Sequence, residues 1–205
     1  MTRAPAAVAV LAVVLVVAAC SAPQPRPELP VPVQPSTPVA QAAPPQAMLP
    51  QTTVSGVLLH HPRPGLYTSA QPGAGDWMRL PALGIDTVIN LRPQAEMHGR
   101  DEAAEVREAG LAYVNIPVAG ADAVTPENAR ALQQAIAAAS GNVLVHCASG
   151  NRAGALLALA AHANGMAPAD ALAFGKASGL TGLEPVVRGR LGLPAAACTA
   201  KDGRC

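Results

Sequence analysis

Residues 143–154, VLVHCASGNRAG, bring several reactive residue types together. His146 and Cys147 end an apolar run, and Arg152 opens a second one. If the first run is a strand and the second a helix, the loop between them turns the backbone N–H groups of Ala148, Ser149, Gly150, Asn151 and Arg152 inward. They then meet the positive end of the following helix, which makes a concave anion site. Such a site favours thiolate over thiol, and thiolate is the nucleophile. Gly150 supplies the permissive backbone of a sharp turn. Arg152 closes the rim with a planar guanidinium that can hold two oxygens of a tetrahedral anion, a task an ammonium does poorly. His146 is expected under the loop, bonded to its backbone. The plainer alternative is a small buried cysteine at a strand end beside an incidental arginine. The joint arrival of strand, glycine, arginine and apolar helix argues for the anion site.

The elements that must hold this loop alternate along the chain. Residues 65–69 read as a short strand and 76–83 as a short helix. DTVINL (86–91) is β-branched and apolar between Gly84 and Pro93, a buried strand. A charged helix over 100–109 stops at Gly110, and LAYVNI (111–116) is the next strand. Thr125 caps a helix with Pro126 and Glu127 in its first turn, running to about Ala139. After the strand 143–145, the segment 152–163 is apolar nearly all round, so it is expected to be buried. Helices at about 168–177 and 183–191 complete the packing. The fold class is α/β, with a central, mostly parallel sheet flanked by helices. Ligands collect beyond the carboxyl ends of such strands, where Cys147 lies.

The chain has 205 residues, half of them hydrophobic, enough for one core, expected over 52–193. A net charge of +1, 13% charged residues and 2% aromatics, with no basic cluster, exclude nucleic acid as a natural partner. Residues 1–19 read as a secretory signal too short to span a bilayer. Val17-Ala18-Ala19-Cys20 resembles a bacterial lipobox, so Cys20 is expected to be lipidated. That makes the membrane a partner through a lipid anchor, on an exported protein at the periplasmic face of the outer membrane. Residues 20–51 are a Pro-rich linker of polyproline character. In the tail, 194–205, Cys198 and Cys205 can close a disulfide loop in an oxidising compartment. Cys147 is left unpaired. His60, His61, His98 and His162 lack paired ligand spacing, and His60-His61 reads as an exposed, Pro-rich lead-in. No metal and no cofactor are expected.

His146-Cys147-Ala148-Ser149-Gly150 matches the start of the cysteine-dependent protein phosphatase signature HCxxGxxR, with one residue fewer before the arginine. Together with Ser69-Ala70-Gln71-Pro72, GIDTVINLRP (84–93) and YVNIPV (113–118), it makes residues 65–180 resemble the beta-lactamase-hydrolase-like phosphatase family. That bacterial branch has a dual-specificity-phosphatase-like fold, and the shorter loop is usual in it. The resemblance implies that Cys147 attacks phosphorus, that Arg152 and the loop amides stabilise the transferring group, and that a thiophosphate is hydrolysed. The substrate would be an anionic phosphate monoester, protein phosphotyrosine or another small phosphoester. It places the acid for the leaving oxygen on the loop holding Asp122, with Glu96 and Asp101 as alternatives on a charged surface helix. Arg92 either adds positive charge to the mouth or pairs with Glu96. Ala153 departs from the Ser or Thr common after the arginine. CASGNR also resembles the loop of rhodanese-like sulfurtransferases, where the cysteine carries a persulfide. Asn90-Leu91-Arg92 departs from that pattern. A third reading is an envelope module that binds anions without turnover.

Overall fold

The computed structural model describes residues 52–54 and 56–196. The expected signal segment, Cys20, the linker to residue 51, Cys198 and Cys205 lie outside the described residues. The strands are β1 (Thr52–Val54), β2 (Val57–Arg63), β3 (Leu66–Ser69), β4 (Ile85–Asn90), β5 (Ala112–Asn115) and β6 (Asn142–His146). The α-helices are α1 (Glu102–Glu108), α2 (Pro126–Ala138), α3 (Asn151–Ala163), α4 (Pro168–Ala177) and α5 (Glu184–Arg190).

The apolar run before Cys147 becomes a central strand. The sheet order is β1-β2-β3-β6-β4-β5, so β6 has neighbours on both sides. β3, β6, β4 and β5 run parallel, as expected, while β1 and β2 extend the β3 edge antiparallel. A strand with both edges paired and both faces covered must be apolar throughout, and Val143 to His146 are all buried. Its pleat sends alternate residues to opposite faces. Val143 and Val145 join the cluster with α3, and Leu144 joins the one with Trp77, Leu80 and Val106. His146 lies on Leu144's face, with its ring 5.7 Å from that of Trp77.

Register decides where the site forms. Ser69 pairs with His146, His146 with Asn90, and Asn90 with Asn115. These four residues make one row, so the chain segments that follow them leave the sheet side by side. Ala70-Gln71, Leu91-Arg92 and Cys147 are thereby brought to one edge.

The edge hairpin was not foreseen. His60-His61-Pro62 belongs to β2, and the β2–β3 register is irregular between His60 and Arg63, where Pro62 needs no ladder donor. Both histidines are partly buried, which corrects their expected exposure. The His61 ring stacks on Tyr67 at 4.2 Å, and burial holds the His60 pKa below its ordinary value. The helix expected at 76–83 is two 3-10 turns, Trp77–Arg79 and Pro81–Leu83, because Pro81 cannot donate within a continuous helix. α1 starts only at Glu102. His98 and Gly99 have φ 51° and 82° and reverse the chain before it.

α3 is the element that carries the loop's arginine, and residues 153–160 are all buried. Its contact with α4 is set by two glycines. A Cβ at Gly154 would lie 2.3 Å from the Leu180 backbone nitrogen and 2.6 Å from the Gly175 carbonyl. Gly154→Ala must push backbone away, so we expect a loss of about 2–3 kcal/mol, the upper range of overpacking costs. Denaturant unfolding checks this, and an unchanged midpoint would refute the contact.

Candidate active site

Cys147 leaves β6 fully buried, while Ala148 and Ser149 are exposed and Gly150 is buried. Gly150 takes the left-handed conformation, φ 83°, and caps α3, as a sharp loop at that point requires. Ser149 bridges to Ala70 and the Ala148 carbonyl accepts from the Gln71 N–H at 3.4 Å, so the loop lies along the SAQP segment. α3 begins at Asn151, and its first N–H groups have no acceptor within the helix. The Asn151 side chain bonds a neighbouring backbone segment. Its Oδ1 accepts from the Thr181 and Leu183 N–H groups at 2.9 and 3.2 Å and ties the loop to the segment ahead of α5.

Arg152 is held by two elements. Its Nη1 donates to Glu96 Oε1 at 2.8 Å and to the Val118 carbonyl at 2.7 Å, and Nη2 donates to Glu96 Oε2 at 2.7 Å. A guanidinium has five N–H donors. The Nε proton and the second Nη2 proton find no hydrogen-bond acceptor among the described residues, and together they form the side-on fork that suits two oxygens of one anion. The pKa of Arg152 is raised, first by its bond to Glu96, against its burial, and then by the charge of Cys147. Glu96 was expected on a charged surface helix; it ends a single 3-10 turn, Gln94–Glu96, and clamps the arginine. The same turn binds Arg92, whose Nε lies 3.4 Å from Glu96 Oε2 and whose Nη2 donates to the Glu96 carbonyl. Of the two roles expected for Arg92, the pairing is the one seen.

His146 was expected to bond the loop backbone, and here the structure differs. His146 faces α1, where Nε2 lies 3.0 Å from Glu102 Oε1, with both side chains at most 1% exposed. The contact lacks the direction of a hydrogen bond, and Nδ1 finds no partner among the described residues. It is a close contact between two buried polar groups. Glu102 Oε2 accepts from Gln71 Nε2 at 2.5 Å. Burial pushes the Glu102 carboxyl up, but His146, Gln71 and Arg100 together hold it below its ordinary value. Sequence reasoning missed Glu102 because a glutamate in a charged run, EAAEVRE, looks solvated. Its one sign was its place in the first turn of a helix. Asp101, named as an alternative acid, caps that helix by accepting from the Ala104 N–H at 3.0 Å.

The strand ends pin the remaining pieces. Asn90 Oδ1 accepts from the Arg92 N–H at 2.7 Å, and Asn115 Nδ2 donates to the Asn90 and Arg92 carbonyls at 2.9 and 3.0 Å. Asp122 is exposed on the loop between β5 and α2. Val118, four residues before it, touches Arg152, so this loop borders the site. Ala153 is fully buried in the core cluster.

An α/β domain with a mixed six-stranded sheet, whose cysteine loop joins a central strand to a buried helix, has the architecture of the dual-specificity and protein-tyrosine phosphatases. The chain belongs to the family of the phosphatase-like domain of beta-lactamase hydrolase-like proteins, whose pattern matches residues 62–164. A beta-lactamase hydrolase-like protein of Xylella fastidiosa (strain Temecula1 / ATCC 700964) is 41% identical over 119 residues, 56% of this chain and 27% of its own. The chain thus spans about a quarter of the length of the curated relatives it matches. Among solved structures, a protein of Neisseria meningitidis Z2491 provisionally described as a phosphatase is 27% identical. It matches with a TM-score of 0.55, over 63% of this chain and 93% of its own. Kinase associated phosphatase shares the fold at 15% identity and a TM-score of 0.50, over 70% of this chain and 98% of its own.

The Glu96 carboxyl is held below the usual carboxylate range, first by its bond to Arg152, against partial desolvation, and then by Arg92. A depressed carboxyl contributes stability that is present above the unfolded value, about 4.3, and is lost as pH falls through the lower folded value. Wild type should therefore lose more melting temperature than Glu96→Gln on going from about pH 5 to about pH 3. Parallel acid melts would show that the clamp carries no charge coupling.

Proposed function

We propose that this domain is a cysteine-dependent phosphatase that hydrolyses phosphate monoesters through a thiophosphate on Cys147. The observation that carries the reading is the state of Arg152. Three of its donors are anchored on Glu96 and Val118, which leaves Nε and the second Nη2 proton for an anion at the far end of the loop that begins at Cys147. An ester phosphate seated on that fork and on the loop amides presents its phosphorus to the sulfur. The Cys147 thiolate forms the S–P bond as the P–O bond to the leaving group breaks. A proton passes from Asp122 to the departing oxygen. Water then attacks phosphorus, gives its proton to Asp122, and releases phosphate and thiolate. With alanine at 153, no hydroxyl next to the arginine assists thiolate departure. Charge on the three equatorial oxygens is stabilised by donors already in place, which is where such sites get most of their rate.

The substrate class is a small phosphate monoester, phosphotyrosine included. Family membership and the fold support phosphate chemistry over sulfur transfer. The lipobox-like tetrad ending at Cys20 supports work at the cell envelope on a lipid tether.

Full-length protein, reduced and in detergent, should release phosphate from an aryl phosphate, and Cys147→Ser should lower kcat by about a thousandfold or more. Asp122→Asn should lower kcat by about a hundredfold on an alkyl phosphate with a poor leaving group, and by less on the aryl ester. Thiocyanate formed from thiosulfate and cyanide, with no phosphate release, would replace this reading by sulfur transfer. Silence in both assays with retained phosphate binding would leave an anion-binding module.

A further inference from the structure

We propose that Gln71 is a positioning residue whose single amide joins the two ends of the anion loop. The inference rests on the reading that Arg152 grips the substrate's anion. Gln71 follows β3 and is partly buried. Its Oε1 accepts from Arg92 Nη1 at 2.5 Å. Its Nε2 donates to Glu102 Oε2 at 2.5 Å and to the Pro72 carbonyl at 3.2 Å. These partners leave no ambiguity about which end of the amide is which, because a guanidinium needs an acceptor and a carboxylate needs a donor.

The two partners lead in opposite directions. Arg92 binds the Glu96 turn, and Glu96 holds Arg152. Glu102 meets His146, the residue before Cys147. A continuous run of six side chains, His146, Glu102, Gln71, Arg92, Glu96 and Arg152, therefore begins at one end of the loop and finishes at the other. Gln71 is the neutral member that lets a carboxylate and a guanidinium approach from opposite sides. An amide of this length meets all three demands at once. A carboxylate would keep the bond to Arg92 and confront Glu102, and an aliphatic chain would satisfy neither.

This gives Gln71→Glu a distinctive signature. The new carboxylate faces Glu102, and a single proton shared between them restores a donor where Nε2–H stood. The variant works while that proton is bound and fails as rising pH removes it. The charged and titratable groups around the pair are Arg92 and Glu96 beyond β4, and Arg100 just ahead of α1, with its Nη1 on the Pro72 carbonyl. Glu105 on α1, Tyr113 on β5, His146 on β6 and Asp76, which accepts from the Gly73 N–H, complete the set.

The test measures kcat/KM on an aryl phosphate, inhibition by inorganic phosphate and thermal melting, from pH 5 to pH 8. It uses full-length wild type, Gln71→Glu and Gln71→Leu. Gln71→Leu should lose about tenfold in kcat/KM and in phosphate affinity at every pH, with a melting temperature within a few degrees of wild type. Gln71→Glu should lie within about twofold of wild type at the acid end and fall about tenfold behind it at the alkaline end. A Gln71→Glu profile parallel to wild type, full phosphate affinity in Gln71→Leu, or a loss matched by collapse of the melting temperature would overturn the proposal. If wild type neither turns over the ester nor binds phosphate, the phosphatase reading fails first.

Discussion

In the proposed function, Arg152 is useful only if it is held still while part of it is left for the anion. A free arginine on a loop would lose rotamer freedom when it met an anion, and that loss would oppose binding. Here Glu96 and the Val118 carbonyl take three N–H groups in advance. The loss is borne at folding, and the remaining fork is already oriented. Glu96 can do this because Arg92 grips both its side chain and its carbonyl, and Asn90 and Asn115 fix the turn that carries Arg92. Each of these anchors stands at or just beyond a parallel strand end in one register.

The same logic explains a feature that stability alone would not favour. Glu102 and His146 are buried in contact, and burying charge costs more than an exposed ion pair returns. An apolar pair of similar volume would pack against Trp77 at lower cost. What the polar pair provides is a fixed attachment for Gln71, and through it a link from the strand that carries Cys147 to the turn that carries Arg92. The site therefore depends on a connected set of side chains, with His146 Nδ1 left unpartnered at its buried end among the described residues.

α3 supplies the third support. Its buried face and the close approach of Gly154 to the Gly175 carbonyl and Leu180 backbone fix the helix against α4, while Asn151 binds the backbone ahead of α5. The positive end of the helix is thus pinned just where the loop closes. Ala153 belongs to this packed surface, so its position follows from the core as much as from the chemistry.

Much of this was legible in the chain itself. Parallel alternation followed from DTVINL, LAYVNI and VLV set between helical segments, and α2 was marked by Thr125 and Pro126. The cysteine loop was legible because its requirements are local: a strand end, a left-handed glycine and a helix start, all within ten residues. The edge hairpin was obscured by His60-His61-Pro62, whose pairing runs through a register shift that no local pattern shows. The frame around the loop was equally hidden. Gln71, Arg92, Glu96 and Glu102 are spread over three segments; the pairing of Arg92 with Glu96 was one reading of the sequence, but Glu102 and the amide link through Gln71 were not visible in it. By itself the sequence determined the candidate reactive residues of the cysteine loop, since reactive groups and backbone turns are properties of short stretches. Which residues hold them in place was decided only by tertiary structure, because the parallel register, set by burial of both faces of β6, brings those separate segments to one edge.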